Sequence, residues 1–400
     1  MQSKVLCRIT QFFIKISYYL IHIRTPKVLK GENSLTELGD IINKQGLNKP
    51  LIVTGNTIFN LGFYKPLVAR LEKYGIPYAI FHDCFPDPST ENVMNGYEVY
   101  KSEKCDCIVA IGGGSPMDCA KIIGAKVARP NKDIRKFSGV LAINRKIPPL
   151  FAVPTTSGTG SECTMAAVIT DEKDHKKIPI ADPVLVPKIA VLDPKLTEGL
   201  PPFTTATTAM DALCHALEVY TNKTYCTKKE FRACEKAVKL IYENVYECYK
   251  DGHNMVAREN LQIAAYEAGI GITRGAVGYV HAIGHAIGGI YGVSHGEAMA
   301  IILPKVMRKY GKSAEKQLSK LADICGIKGE NEAEKSSKLI YWIEEVNAKM
   351  GLNNCFRQIR DEDIDLIVKR VIKEANPLYP CPQIWKSKDV RDIVIELQGK

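Results

Sequence analysis

Short apolar runs alternate with helix-like stretches through residues 26–195, and then the alternation stops. The runs are KPLIVTG (49–55), YAIFHD (78–83), CIVAIGGG (107–114), PLFAVPTT (149–156) and KIAVLD (188–193). Strands and helices in alternation bury their apolar surface as a parallel sheet covered by helices, and such sheets bind ligands at the strands' C-terminal ends. From about residue 204 the pattern is helical only: TTATTAMDALCHALEVY, KKEFRACEKAVKLIYENVYECYK and ENLQIAAYEAGIGI follow one another with no strand between them. At 400 residues the chain exceeds what one core usually serves. The expectation is an N-terminal extension over 1–25, an α/β domain over 26–200 and an all-α domain over 201–400. GLPP at 199–202 is the expected hinge, with a helix-capping threonine close behind and the chemistry in a cleft between the domains.

Composition narrows the functional classes. The chain is 46% hydrophobic and 24% charged, as ordinary globular proteins are. Net charge is +10, and residues 1–50 hold eight Lys or Arg against three Asp or Glu, yet no basic run follows a nucleic-acid pattern. Thirteen cysteines, scattered without CxxC pairs, read as reduced thiols of a cytoplasmic protein. ITQFFIKISYYLIHI (9–23) is interrupted by Lys15, is too short to span a bilayer and has no cleavage site after it. It reads as a helix packed on the protein surface; the alternative is a membrane-surface helix with Phe12, Phe13, Tyr18 and Tyr19 buried in lipid.

Two glycine-rich loops follow two of the strands. In IVAIGGGSPMDCAKIIG, consecutive glycines allow a tight turn that brings N–H groups towards a phosphate, Ser115 adds a hydroxyl, and the next helix offers its positive end. Alone, this is as well explained as a tight strand-to-helix turn, because GxGxxG is absent. PTTSGTGSE (154–162) supplies a second such loop after another strand. Neither is followed by a Walker lysine, so dinucleotide binding is preferred to nucleotide hydrolysis.

MDALCHALE places Asp211 and His215 four apart on one helix face, and HAIGHAIGGIYGVSH repeats that spacing with His281 and His285 before His295 returns after a glycine-containing turn. A carboxylate with imidazoles suits Fe²⁺ or Zn²⁺. A lone histidine there reads as a hydrogen-bonded core residue. Three in a segment of Gly, Ala, Ile and Val read as ligands, since burying several imidazoles without a shared partner costs free energy. Spacing leaves five candidates for three or four ligand positions.

Together, GGGSPMD, PTTSGTGSE, DALCHALE and GYVHAIGHAIGGIYGVSHG resemble the iron-containing (group III) alcohol dehydrogenases, in order, over about 26–395. The resemblance implies a Rossmann-like nicotinamide-binding domain followed by a helical metal-binding domain. It implies Asp211, His215, His281 and His295 as metal ligands, and His285 beside the nicotinamide without binding metal. It gives the pyrophosphate to Gly113, Gly114 and Ser115 with Asp118 nearby, and other cofactor contacts to Thr155, Thr156, Thr159 and Lys177. Gly55 stands where NAD-preferring relatives carry an acidic residue, which leans towards NADP(H). Asp87, in PDP where the family usually has PNP, pulls against an added phosphate.

The expected function is reversible hydride transfer between a small primary alcohol or aldehyde and NAD(P), with Fe²⁺ (or Zn²⁺) in a homodimer or higher oligomer. The mostly apolar stretch 275–293 suits a small uncharged substrate. One alternative is a lyase like the dehydroquinate synthases, which need a basic cluster facing the metal; residues 275–300 contain no Lys or Arg. Another is a non-catalytic nucleotide-binding or scaffold protein, which has little reason to keep five metal-capable groups.

Overall fold

Every residue of Cys107–Gly112 is buried, and its side chains alternate between two cores. Ile108 and Ala110 join Leu51, Val53 and Ile123 on one side, while Val109 and Ile111 join Leu38, Ile52 and Val191 on the other. A parallel strand covered on both faces requires this, and it explains why the run is apolar without interruption. The computed structural model describes residues 3–172, 176–222 and 225–399. The chain divides into two compact units, His22–Glu198 and the combination of Met1–Ile21 with Gly199–Lys400.

The first unit contains β1 (Lys27–Lys30), β2 (Pro50–Val53), β3 (Ala79–Phe81), β4 (Cys107–Gly112), β5 (Gly139–Val140), β6 (Leu150–Pro154), β7 (Ala166–Thr170), β8 (Lys177–Ala181) and β9 (Ile189–Leu192). Six of them form an all-parallel sheet in the order β1-β9-β6-β4-β2-β3. Five are the expected runs. The sixth, β1, is the mostly exposed segment KVLK, which is held as a strand by pairing with β9, Val28 opposite Ala190. A small second sheet, β5-β8-β7, was not signalled by the sequence; β7 and β8 are antiparallel, with exposed and buried residues alternating.

Chain order reverses at β2, from which one connection leads out to β3 while β4 returns on its other side and leads on towards β6. The crevice beyond the C-terminal ends of β2 and β4 is where a sheet of this kind takes its ligand. Gly55 follows β2 and the GGGS turn follows β4. The register pairs Gly112 with Pro154, so the second glycine loop begins beside the first.

The second unit is helical, and Pro202–Thr221, Lys228–Lys250, Met255–Gly275, Tyr279–Tyr291 and His295–Tyr310 share one core with the helices that follow. The expected threonine does not cap the first of these. The helix opens on Pro202 after Pro201, with no side-chain cap, because a proline's missing N–H costs nothing in the first turn and its fixed φ suits the helix. Buried Arg258 secures this start by donating to Thr205 Oγ1 (2.8 Å) and the Leu200 carbonyl (3.2 Å).

The apolar N-terminal stretch forms the helix Lys4–Leu20, capped by Ser3, whose hydroxyl accepts from the Leu6 N–H. Tyr18 packs against Tyr225, whereas Phe12, Phe13 and Tyr19 are exposed. Among the described residues no helix is long and apolar enough to cross a membrane, and no disulfide joins any of the cysteines.

Candidate active site

The helix Pro202–Thr221 carries Asp211, His215 and Glu218 at i, i+4 and i+7, one stripe of a helical face, and all three are buried. The helix Tyr279–Tyr291 brings His281 and His285, and the left-handed residue Gly292 then turns the chain so that His295 opens the next helix. Three imidazoles converge on one oxygen. Asp211 Oδ1 lies 3.3 Å from His295 Nε2, 3.6 Å from His281 Nε2 and 3.7 Å from His215 Nε2.

Asp211 Oδ1 and His281 Nε2 are buried with no hydrogen-bond partner. Their separations are too long for good hydrogen bonds, but they match the roughly 3.4 Å between ligands of a tetrahedral ion with bonds of about 2.1 Å. Asp211, His281 and His295 bring ligand atoms within 4.8 Å of one another. His215, expected as a fourth ligand, reaches Asp211 but lies outside that trio, its ring stacked on His281 at 4.7 Å. The residues present therefore fit a divalent cation.

Glu218 organises the group, and no role was assigned to it from the sequence. Its Oε2 lies 2.5 Å from His281 Nδ1 and its Oε1 accepts the Val280 N–H at 2.7 Å. A carboxylate only accepts, so the ring hydrogen sits on Nδ1 and Nε2 is left aimed at Asp211. Gly278 permits the approach: a Cβ there would stand 2.8 Å from Glu218 Oε1. Burial pulls the His281 pKa down, but Glu218 and Asp211 outweigh it and raise it to about 10. Burial lowers that of His215 to about 4. Burial also opposes ionisation of Asp211, yet His215, His295 and His281 hold its carboxyl well below the usual range. The signal for Glu218 was present in the sequence, seven residues after Asp211 on the same stripe.

His285 is built differently. Its ring lies 5.9 Å from that of His281 and 5.4 Å from that of His295, and it is not in the trio gathered around Asp211. Its Nδ1 is 2.8 Å from Glu374 Oε1, which also accepts from the Tyr379 hydroxyl at 2.9 Å. Glu374 and Tyr379 carry no sequence signal, because they meet His285 only through tertiary packing. The apolar residues around it, Val280, Ile283 and Ile287, belong to the helical core, so their character does not report substrate size.

In the α/β unit the glycine loops are packed together. Gly112 has φ +153°, and a Cβ there would lie 2.7 Å from Pro116 Cγ, so only glycine fits this turn. A Cβ on Gly114 would press on Thr159 Cγ2 at 3.1 Å, and one on Gly113 would meet Thr156 Oγ1 at 3.5 Å. Gly113 caps the following helix without a side chain, leaving first-turn N–H groups for an anion.

Asp118 works inward as a brace, accepting from Ser161 Oγ and the Val168 N–H, both at 2.9 Å. Fully buried Lys121 completes the brace, donating to Ser161 Oγ (2.8 Å), Thr164 Oγ1 (2.9 Å) and the Ala166 carbonyl (2.7 Å). Thr155 is buried at the head of the loop. Lys177 pairs with Asp87 at 2.5 Å, and the Asp87 N–H donates to Ser115 Oγ at 3.4 Å. Gly55 caps a short helix, and a Cβ there would stand 3.0 Å from the Cys84 carbonyl.

A parallel sheet with paired glycine loops, and a helical unit with a carboxylate–imidazole cluster, define a class of chain that provides separately for an anionic cofactor and a divalent metal. Comparison with known proteins narrows the class. The profile described as "Iron-containing alcohol dehydrogenase" matches residues 25–194, and "Fe-containing alcohol dehydrogenase family, C-terminal" matches 205–397. The NAD-dependent methanol dehydrogenase of Bacillus methanolicus is 33% identical over 373 residues, covering 92% of this chain and 97% of that protein. The 1,3-propanediol dehydrogenase of Citrobacter freundii is 33% identical over 388 residues, covering 94% and 99%. The structure of an alcohol dehydrogenase from Oenococcus oeni superposes with TM-score 0.90 at 30% identity, covering 94% and 99%. The chain belongs to the iron-containing alcohol dehydrogenase family and is an oxidoreductase of that family. The lyase and scaffold readings are not favoured.

Proposed function

We propose that this enzyme interconverts small primary alcohols and aldehydes using NAD(P)(H) and a divalent metal held by Asp211, His215, His281 and His295. The observation that carries the reading is the pair of buried, unpartnered atoms Asp211 Oδ1 and His281 Nε2, with three imidazole nitrogens 3.3–3.7 Å from that oxygen. Iron is the proposed ion; the same donors also accept zinc. When bound, it supplies Lewis acidity towards an alcohol or carbonyl oxygen, and the nicotinamide supplies or accepts the hydride.

This chain's residues do the rest. Glu218 orients His281, and Asp211 balances the charge of the site. His285 is the proposed proton carrier. With Nδ1 engaged by Glu374, its Nε2 is the atom free to accept the alcohol proton and to return it in the reverse direction. Gly113, Gly114, Ser115, Thr155, Thr156, Thr159 and Lys177 are the proposed cofactor contacts, and Asp118 braces the loop they share. The preference we read is for NADP(H): Gly55 offers no carboxylate to repel a 2′-phosphate, and the charge of Asp87 is balanced by Lys177.

The test is oxidation of NADPH and NADH with a series of short aldehydes, by protein loaded anaerobically with Fe²⁺ or Zn²⁺ and by metal-stripped protein. Turnover only with metal, and faster with NADPH, is expected. Absence of turnover with every aldehyde and alcohol sinks the reading.

A further inference from the structure

The helix Lys4–Leu20 lies outside both stretches matched by the family profiles, 25–194 and 205–397. One of its faces is fastened to the helical unit by polar groups. Arg8 donates to the carbonyls of Cys381 (2.9 Å) and Pro382 (3.0 Å), and Gln11 donates to those of Pro377 and Tyr379, both at 2.9 Å. Arg274 donates to the Tyr18 carbonyl at 2.7 Å.

The opposite face is apolar and turned outward. Ile9, Phe12, Phe13, Ile16, Tyr19 and Leu20 are 42–83% exposed. At about 100° per residue they occupy an arc of roughly 120°. An amphipathic helix ordinarily buries such a stripe; this one buries Cys7 and Gln11 instead. Six large apolar side chains exposed on one face of a single helix are a contiguous patch, unlike the singly scattered apolar residues of an ordinary surface.

Charge and size choose the partner. The helix carries Lys4, Arg8 and Lys15 and no acidic residue; the first acid in the chain is Glu32. A second copy would therefore oppose like charges. The stripe from Ile9 to Leu20, about 18 Å long and about 10 Å wide, also offers only some 180 Å², less than a quarter of the ~800 Å² per partner of a stable interface. A lipid surface needs no more than this: apolar side chains enter the headgroup–acyl boundary while flanking lysines meet lipid phosphates. We propose that the helix Lys4–Leu20 docks this protein, lying flat, on the surface of an anionic bilayer.

The test is flotation of the full chain with vesicles of one part phosphatidylserine to two parts phosphatidylcholine, against phosphatidylcholine alone, at low and high salt. Wild-type protein is expected to float with the anionic vesicles and to be released by salt. The variant Phe12→Ser/Phe13→Ser is expected to partition roughly tenfold less or weaker, with unchanged metal content and turnover. No flotation, equal flotation on both lipids, or equal partition of wild type and variant overturns the proposal. So does a lipid-free mass by light scattering that falls in the variant, which assigns the face to a second copy.

Discussion

Glu218 and His281 come together from two helices, the Oε2 of one 2.5 Å from the Nδ1 of the other, and both side chains are buried. This contact decides which ring nitrogen of His281 turns towards Asp211. Groups that orient a metal-binding imidazole typically change affinity by 10–100-fold when removed. Glu218→Gln keeps the shape and loses the charge, so it is expected to weaken metal binding by roughly that factor with helix content unchanged. Chelator competition followed by metal analysis measures it. An unaltered affinity means that Glu218 only fills space.

His281 and His285 are one helical turn apart, and different work is proposed for them. His281→Ala is expected to lose the metal. His285→Ala is expected to retain it while kcat falls by roughly 10²–10⁴, the usual worth of a positioned proton carrier. Metal content and steady-state rates, measured on the same preparations, separate the two. Equal metal loss in both variants defeats the division of labour.

Glu162, in the second glycine loop, is a buried acid whose pKa burial raises to about 7 from 4.5. The native state therefore holds this proton more tightly than the unfolded chain does. Stability linked to the group is fully present below 4.5 and is lost as pH rises through about 7. Glu162→Gln removes the cost of burying the charge, so its thermal stability relative to wild type should be higher at about pH 8 than at about pH 5. A difference in Tm that is the same at both pH values counts against the assignment.

Lys121 ties the same loop to the helix that follows the GGGS turn, and burial lowers its pKa against the opposing pull of Asp118. Replacing it with Met leaves Thr164 Oγ1 and the Ala166 carbonyl without their buried donor and removes the positive charge that favours the Asp118 carboxylate, a change that commonly costs about 1–3 kcal/mol. Lys121→Met is expected to be destabilised by about that much in denaturant titration, and Asp118→Asn added to it should cost less than Asp118→Asn alone. Simple additivity would show that the two charges do not act together.

Much of this molecule was legible in local pattern. The runs that became β2, β3, β4, β6 and β9 were visible because a strand covered on both faces must be continuously apolar. The Asp211–His215 and His281–His285 pairs were visible because the helical period places i and i+4 on one face. The helical stretches 204–220 and 228–250 lie within two residues of Pro202–Thr221 and Lys228–Lys250, but the threonine cap was not legible, since two prolines serve that start equally well.

What the sequence determined by itself was therefore short-range: where strands and helices form, which side chains share a helical face, and which chemistry a carboxylate with several imidazoles can support. Tertiary structure decided the partners. His281 and His285 have the same side chain and almost the same neighbours in sequence, yet one meets Glu218 and Asp211 while the other meets Glu374. The strand β1 exists through β9, and the N-terminal helix turns its apolar stripe outward because polar side chains hold the other face. The reason is physical. Periodicity follows from backbone sterics over a few residues, whereas the meeting of distant helices follows from how the whole unit buries its core, which no single segment encodes.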